Sequence, residues 1–294
     1  MVSVPQIGFG TYLISQEDVV EPVCAAIQAG YRHVDTAEGY GNEVGVGKAI
    51  SKSEVPRDEL FVTTKLWPGN PAWGQPAKTY EECLAACEQS LKNLSLDYVD
   101  LYLIHAPFGF SAGLLQEQYR ALVNIKERGL AREIGVSNFS VKHLEALESA
   151  GLPTPAYNQL ELHPLCQQTE TLSWMEKRGC LPIAYSSLAP MSGWRAQQES
   201  GKHRLGEQSE VELAKTLKNV ATRLNATEAQ VLLLWGLQKG YRILPKSTNK
   251  QRIELNLQVQ VLGALTQQEM QNLESCRPSG EDVCLAWSFG DPTL

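Results

Sequence analysis

Short, nearly continuous apolar runs alternate with longer amphipathic stretches along most of the chain. A run without polar alternation marks a strand buried on both faces, as in a parallel sheet. In order, the runs predict strands at Ile7–Gly10, His33–Asp35, Leu60–Lys65, Tyr98–His105, Arg132–Ser137, Ala156–Glu161, Leu181–Tyr185 and Arg242–Pro245. The stretches between them predict helices at Gln16–Ala29, Asn42–Ile50, Thr79–Leu94, Leu114–Arg128, Val141–Ala150, Thr169–Arg178 and Thr227–Lys239, and Asn249–Asn256 begins the last. Local punctuation agrees. Gly30, Gly129 and Gly151 follow helices as C-caps. Thr79 with Glu82 reads as a capping box, and Thr227 opens its helix.

Eight βα units in succession predict one α/β domain over residues 1–294, a closed (β/α)8 TIM barrel of parallel strands. A doubly wound open sheet is the rival. It would carry a glycine-rich turn after its first strand, but GFGTY has no third glycine opening a helix. Two stretches fall outside the βα rhythm. Ala189–Gln208 is polar and follows the seventh strand; the residues beyond about Arg277 carry Pro278, Gly280, Gly290 and Pro292. Both are expected to be long rim loops, the first covering a cofactor and the C-terminal one lying over the active site.

Composition narrows the partners. A chain of 294 residues, 43% hydrophobic, is long enough for a large core; barrels of roughly this size fold as one domain, though length alone would equally allow two. A net charge of -7 with dispersed Lys and Arg argues against a nucleic-acid partner. Apolar stretches such as VLLLWGL are too short to cross a bilayer, so no membrane association is expected. MVSVPQIGFG shows no basic n-region and no long h-region. With seven dispersed cysteines, an odd number, this favours a reducing, cytoplasmic setting. Cys83 and Cys87 lie one helical turn apart, but no second ligand pair follows. They read as two small residues on a helix, and no metal is expected.

Four polar residues end or follow the apolar runs: Asp35 in HVDT, Tyr40 in AEGYGNE, Lys65 in LFVTTK and His105 in VDLYLIH. A charged residue at the end of a buried strand is delivered to the sheet edge, and in a barrel the chemistry sits at that C-terminal rim. The set is coherent: a proton donor, a cation to acidify it, an anion to hold the cation, and a hydrogen bonder. Singly, each has an ordinary reading, as helix cap, packing aromatic, strand-end lysine or core histidine.

The blocks GYRHVDTAEGYGNEVGVGKAI, TTKLWPGN, DYVDLYLIHAP, IGVSNFS, YNQLELHP and ILPKSTNKQRIELN resemble the aldo-keto reductases. They occur in that family's order, and the resemblance spans Gly8 to Asn256. It implies NADPH-dependent reduction of aldehydes or ketones to alcohols by direct hydride transfer. Tyr40 would be the general acid. Its phenol, with an ordinary pKa of about 10, would be acidified by Lys65. Asp35 would keep Lys65 charged, and His105 would orient the carbonyl and bond the developing oxyanion.

The resemblance also implies a cofactor site. Ser137, Asn138 and Gln159 would bond the nicotinamide carboxamide. Tyr185 would stack on the ring, and Ser186 and Leu188 would meet the pyrophosphate. Thr11 belongs to the same set. Lys246, Ser247, Thr248 and Arg252 would hold a 2′-phosphate, aided by the helix beginning near Asn249, which favours NADPH/NADP+ over NADH. Asn256 matches the adenine contact. Tyr12, Trp67, Ala106, Phe108 and Trp287 would wall the substrate pocket.

Three departures from the family pattern matter. Ala106 stands where the family often has Trp, which implies a wider pocket and bulkier carbonyls. Leu255 stands where Glu is usual, which removes one polar adenine contact. Only Met1–Val4 precede PQIGFG, so the hairpin that often plugs the barrel bottom is expected to be incomplete. The expected partner is a small-molecule carbonyl, and the expected state a monomer.

Two other classes of function compete. One is a non-catalytic nucleotide-sensing regulatory subunit with a reductase-like barrel, which could retain the same residues; a turnover assay decides. The other is a barrel hydrolase or isomerase, which needs carboxylates paired at ~5–10 Å or clustered metal ligands. Here His33, His143, His163 and His203 are scattered.

Overall fold

A computed structural model of the chain describes residues 4–108, 111–191, 207–277 and 282–286. The strands are β1 (Phe9–Gly10), β2 (His33–Asp35), β3 (Phe61–Leu66), β4 (Val99–Ile104), β5 (Ala131–Ser137), β6 (Tyr157–Glu161), β7 (Leu181–Tyr185) and β8 (Arg242–Ile243). Each pairs in parallel with its successor. The sheet closes on itself. Gly8 N–H donates to the Ile243 carbonyl at 2.9 Å, Ile243 N–H to Gln6 at 2.9 Å, and Gly10 N–H to Pro245 at 3.1 Å. Closure excludes the open, doubly wound sheet.

Side chains on each strand alternate between two separate cores. Val62, Tyr102, Ile104, Ile134, Val136, Leu160 and Ala184 pack outward with the helices. Phe61, Leu101, Leu103, Tyr157, Ile183 and Leu244 form a second cluster with Val4. That smaller cluster fills the barrel interior. Gly8 belongs to this crowded interior, since a Cβ there would lie 2.4 Å from His33 Nδ1. Lys65, His105 and Gln159 have the same parity as Phe61, Leu103 and Tyr157. The inner face therefore changes from apolar to polar towards the C-terminal ends of the strands.

The helices are α1 (Val20–Ala29), α2 (Glu43–Lys52), α3 (Tyr80–Leu94), α4 (Ala112–Glu127), α5 (Val141–Ser149), α6 (Thr169–Arg178), α7 (Glu207–Leu224), α8 (Glu228–Gln238), α9 (Lys250–Leu257) and α10 (Gln267–Ser275). The capping boxes expected at Thr79 and Thr227 are present. Differences from expectation are local. α1 begins at Val20 rather than Gln16, because Ser15 and Asp18 bond each other in a turn ahead of it. β8 spans only Arg242–Ile243, shorter than Arg242–Pro245, although Leu244 N–H still donates to the Ala184 carbonyl at 3.0 Å. α7 and α10 add to the eight βα units. Of the expected rim loops, Ala189–Met191 forms a 3-10 turn, while residues 192–206, 278–281 and 287–294 lie outside the described residues.

Candidate active site

Asp35 ends β2, and its carbonyl accepts from both the backbone N–H and the hydroxyl of Thr11. The chain then turns through a 3-10 helix, Glu38–Tyr40, which brings Tyr40 back over the rim. Lys65 comes up the inner face of β3, and His105 follows the end of β4. The Lys65 ammonium is fully buried and donates to Asp35 Oδ1 at 2.5 Å, to the Thr36 carbonyl at 2.9 Å and to Tyr40 Oη at 3.3 Å. An ammonium has three N–H donors and all three are used, so the arrangement suits the charged form. Asp35 Oδ2 accepts from Gln159 Nε2 at 2.7 Å. Tyr40 Oη receives the Lys65 hydrogen bond and gives its own proton to no acceptor among the described residues. That proton is left for the pocket.

Electrostatics refine the expected roles. Burial pushes the Asp35 carboxyl up and the Lys65 ammonium down. Their mutual contact, and for Asp35 the Gln159 hydrogen bond, pull back towards the ion pair. For Tyr40 the direction is opposite to the expected acidification. Burial, reinforced by the Asp35 charge, holds its pKa well above the ordinary phenol value. The phenol is thus kept protonated, and the 3.3 Å ammonium contact acts when negative charge develops on its oxygen. Burial and then the Lys65 charge push His105 well below the ordinary imidazole value. A neutral ring has one N–H to offer an oxygen. That ring stands edge-on to Tyr40 and Trp67, with centroids 5.4 and 5.6 Å away.

The residues assigned to a cofactor gather on the adjoining part of the rim. Ser137 and Asn138 lie at the end of β5, and Asn138 adopts a left-handed backbone (φ 63°). Asn138 Nδ2 donates to the His105 carbonyl at 2.9 Å, and its Oδ1 accepts from Tyr185 Oη at 2.6 Å. Ser137 Oγ donates to the Gln159 carbonyl at 2.8 Å. These side chains form one network that tethers the half-buried Tyr185 ring upright. Ser186 is again left-handed (φ 55°), and the buried Ser187 hydroxyl beside it has no partner among the described residues. Leu188 follows and is partly buried. Non-glycine residues held in this backbone region cluster at binding sites.

Further round, Asn249 caps α9, accepting from Arg252 N–H at 3.0 Å. Ser247 Oγ accepts from Asn249 N–H at 3.1 Å, and Thr248 is exposed between them. Lys246 and Arg252 have no acidic partner among the described residues. Burial and then the Arg252 charge push the Lys246 pKa down. Two unneutralised cations beside a helix N-terminus suit a phosphate. Asn256 is buried and makes no side-chain hydrogen bond among the described residues. The unpartnered Ser187 hydroxyl and the Lys246 and Arg252 cations are the kind of donors that fit a dinucleotide's phosphates.

The pocket wall is aromatic. Tyr12 lies 5.0 Å from the Tyr40 ring, and Trp67 is 5.2 Å from Phe108. Trp73, not foreseen, stacks on Trp67 at 5.8 Å and also meets Phe108. Ala106 has no exposed surface. Trp287 lies outside the described residues. Sequence reading also missed Glu38, which accepts from Trp67 N–H at 2.8 Å and pairs with Lys78 at 2.9 Å, fixing the wall to the Tyr40 turn. It missed the Gln159–Asp35 bond as well, between residues 124 positions apart.

Residues 6–278 match the model of the Aldo/keto reductase family. An aldo-keto reductase of Mycobacterium sp. (strain JLS) is 39% identical over 93% of this chain and 89% of its own length. Methylglyoxal reductase DkgB of Escherichia coli O157:H7 is 36% identical, over 89% of each chain. Among solved structures, an aldo-keto reductase from a Medee basin deep-sea metagenome library superposes with a TM-score of 0.80 at 34% identity, covering 96% of this chain and 94% of that one. The Bombyx mori aldo-keto reductase in complex with NADP gives 0.80 at 32% identity, covering 93% and 89%.

Proposed function

We propose a cofactor and a substrate class for this chain, which belongs to the aldo/keto reductase family and is an oxidoreductase of that kind. The cofactor is NADPH and the substrates are aldehydes and ketones, with 2-oxoaldehydes of the methylglyoxal type foremost. The observation that carries the reading is the Tyr40 hydroxyl, hydrogen-bonded by a buried Lys65 that Asp35 holds, with its own proton unused at the rim. Support for NADPH comes from Lys246 and Arg252, which lack acidic partners among the described residues at the capped start of α9, and from the NADP held by the Bombyx mori relative. The substrate class is that named for DkgB.

When bound, the nicotinamide supplies hydride to the carbonyl carbon. Tyr40 donates its phenolic proton to the carbonyl oxygen, and Lys65 stabilises the phenolate left behind. His105, neutral, hydrogen-bonds the same oxygen and sets its orientation. Asp35 and Gln159 hold Lys65 in place. Trp67, Trp73 and Phe108, in mutual ring contact, form an apolar wall beside His105. Asn138, through His105 and Tyr185, couples the cofactor side of the rim to the substrate side.

The test is NADPH consumption with methylglyoxal and a panel of larger aldehydes and ketones, alongside Tyr40→Phe. Wild-type turnover is expected, with kcat falling about 10²–10⁴-fold in the variant while NADPH affinity is retained. NADPH binding without turnover on any carbonyl would move the chain to a nucleotide-sensing role.

A further inference from the structure

Two thiols outside the tetrad meet at the rim, although 118 positions separate them. Cys166 lies in the turn between β6 and α6, and Cys284 lies in segment 282–286. Their Sγ atoms are 2.9 Å apart. That is roughly 0.9 Å more than the ~2.05 Å of an S–S bond.

The backbones on both sides of the pair are already in register. Val283 N–H donates to the Leu165 carbonyl at 2.8 Å. The Asp282 carboxylate accepts from Gln167 N–H at 2.8 Å and Gln168 N–H at 2.7 Å, and pairs with Arg277 at 3.0 Å. Beyond the pair, the Glu161 carboxylate accepts from Leu285 N–H at 2.6 Å and Ala286 N–H at 2.9 Å. Glu161 is itself buried and bonded to His163 at 2.9 Å. Closing the sulfurs therefore requires little movement of either chain segment.

The other cysteines differ. Burial pushes Cys83, Cys87 and Cys180 up to about 12, much as the Cys284 hydrogen bond and then burial raise Cys166, but no hydrogen bond joins any of those three to another thiol among the described residues. Cys24 and Cys276 point at backbone carbonyls of their own surroundings.

We propose that Cys166 and Cys284 form a disulfide when the protein meets a low-molecular-weight disulfide, such as oxidised glutathione, and so fasten segment 282–286 to the turn before α6. Cys284 is partly exposed and Cys166 is fully buried, so Cys284 reacts first. Its thiolate attacks one sulfur of the external disulfide, displaces one small thiolate and leaves a mixed disulfide. Cys166 then attacks the Cys284 sulfur, and its proton leaves with the second small thiolate. The balance is two protein thiols oxidised to one disulfide and one external disulfide reduced to two thiols. Because Glu161 stands two residues beyond Gln159 on β6, the staple sits one strand end from the Gln159–Asp35 bond.

The experiment treats the whole protein with oxidised glutathione, quenches free thiols with a maleimide under denaturing conditions, and maps peptides without reduction. The expected result is a peptide joining Cys166 to Cys284, five of the seven thiols still free, and a higher midpoint of thermal unfolding that dithiothreitol reverses. Cys166→Ala should instead retain a glutathione adduct on Cys284. Seven free thiols after treatment, or a persistent adduct on Cys284 in the unmutated protein, would overturn the proposal. So would a disulfide between any other pair.

Discussion

His33 sits one layer below the tetrad, fully buried between Gly8 and Thr63, with Nε2 2.9 Å from the Thr63 hydroxyl. Burial, and then the charge of Lys65 above it, push its pKa from 6.5 down to about 3. Tyr40 is shifted in the opposite sense for the same leading reason, since burial disfavours whichever form is charged. A phenol becomes a harder acid to ionise and an imidazole a weaker base. For His33 the stability consequence has a definite sign. Between pH 6.5 and about 3 the unfolded chain binds a proton at this residue and the folded chain does not. Stability therefore rises with pH across that window, by about 1.4 kcal/mol per pH unit from such a group. Urea midpoints measured from pH 7 down to 4 should fall steadily, and the fall should be shallower in His33→Gln. An equal slope in both proteins would mean that His33 is not held neutral. Some slope should persist in the variant, because His105 is shifted in the same direction.

At the scale of elements, the strands were the most legible feature, because a short continuous apolar run between polar stretches is the pattern of a strand covered on both faces. Asp35, Lys65 and His105 were legible for the same reason: each ends or follows such a run. α7 was not, although Leu213, Leu217, Val220 and Ala221 repeat at helical spacing and are buried. It follows a long polar stretch and has no strand of its own, so the βα rhythm gave no place for it. α10, with its Thr266–Glu269 capping box, was missed on the same ground. The Gln159–Asp35 and Cys166–Cys284 contacts were beyond reach, since no local spacing encodes a contact between residues 124 or 118 positions apart. Asn249 was legible as a helix start, and the structure gives it the capping bond. Arg252 and Lys246 flank that capped start, near enough for the Arg252 charge to act on Lys246. Each charge-assisted bond to a phosphate contributes about 1.5–3 kcal/mol. Arg252→Ala should therefore raise the Kd for NADPH about 10–100-fold and leave that for NADH nearly unchanged, as fluorescence titration with each nucleotide would show. A parallel loss for both nucleotides would remove the 2′-phosphate assignment.

At the scale of the whole molecule, the two ends of the barrel carry different burdens. The C-terminal rim holds the tetrad, with a Tyr40 proton and two cations that find no partner among the described residues. The opposite end holds another buried carboxylate, Asp100, at the start of β4, and both of its oxygens are satisfied by the fold. Its Oδ2 accepts from Val62 N–H at 2.9 Å and pairs with Arg57 at 2.8 Å, while Oδ1 pairs with Arg132 at 2.9 Å. The two guanidinium groups clasp the Tyr98 ring, each 4.2 Å from its centroid. The cluster ties the starts of β3, β4 and β5 together, and its carboxylate has no oxygen left for a ligand. Charge at this end serves the barrel rather than the reaction. Removing the carboxylate leaves two partly buried cations and a strand N–H without their acceptor, a change that costs about 3–5 kcal/mol when a buried pair is broken. Asp100→Ala should therefore lower the free energy of unfolding by that amount, yet keep kcat and KM near wild type at temperatures where it stays folded. Loss of turnover in the folded variant would show that the ends of the barrel are coupled.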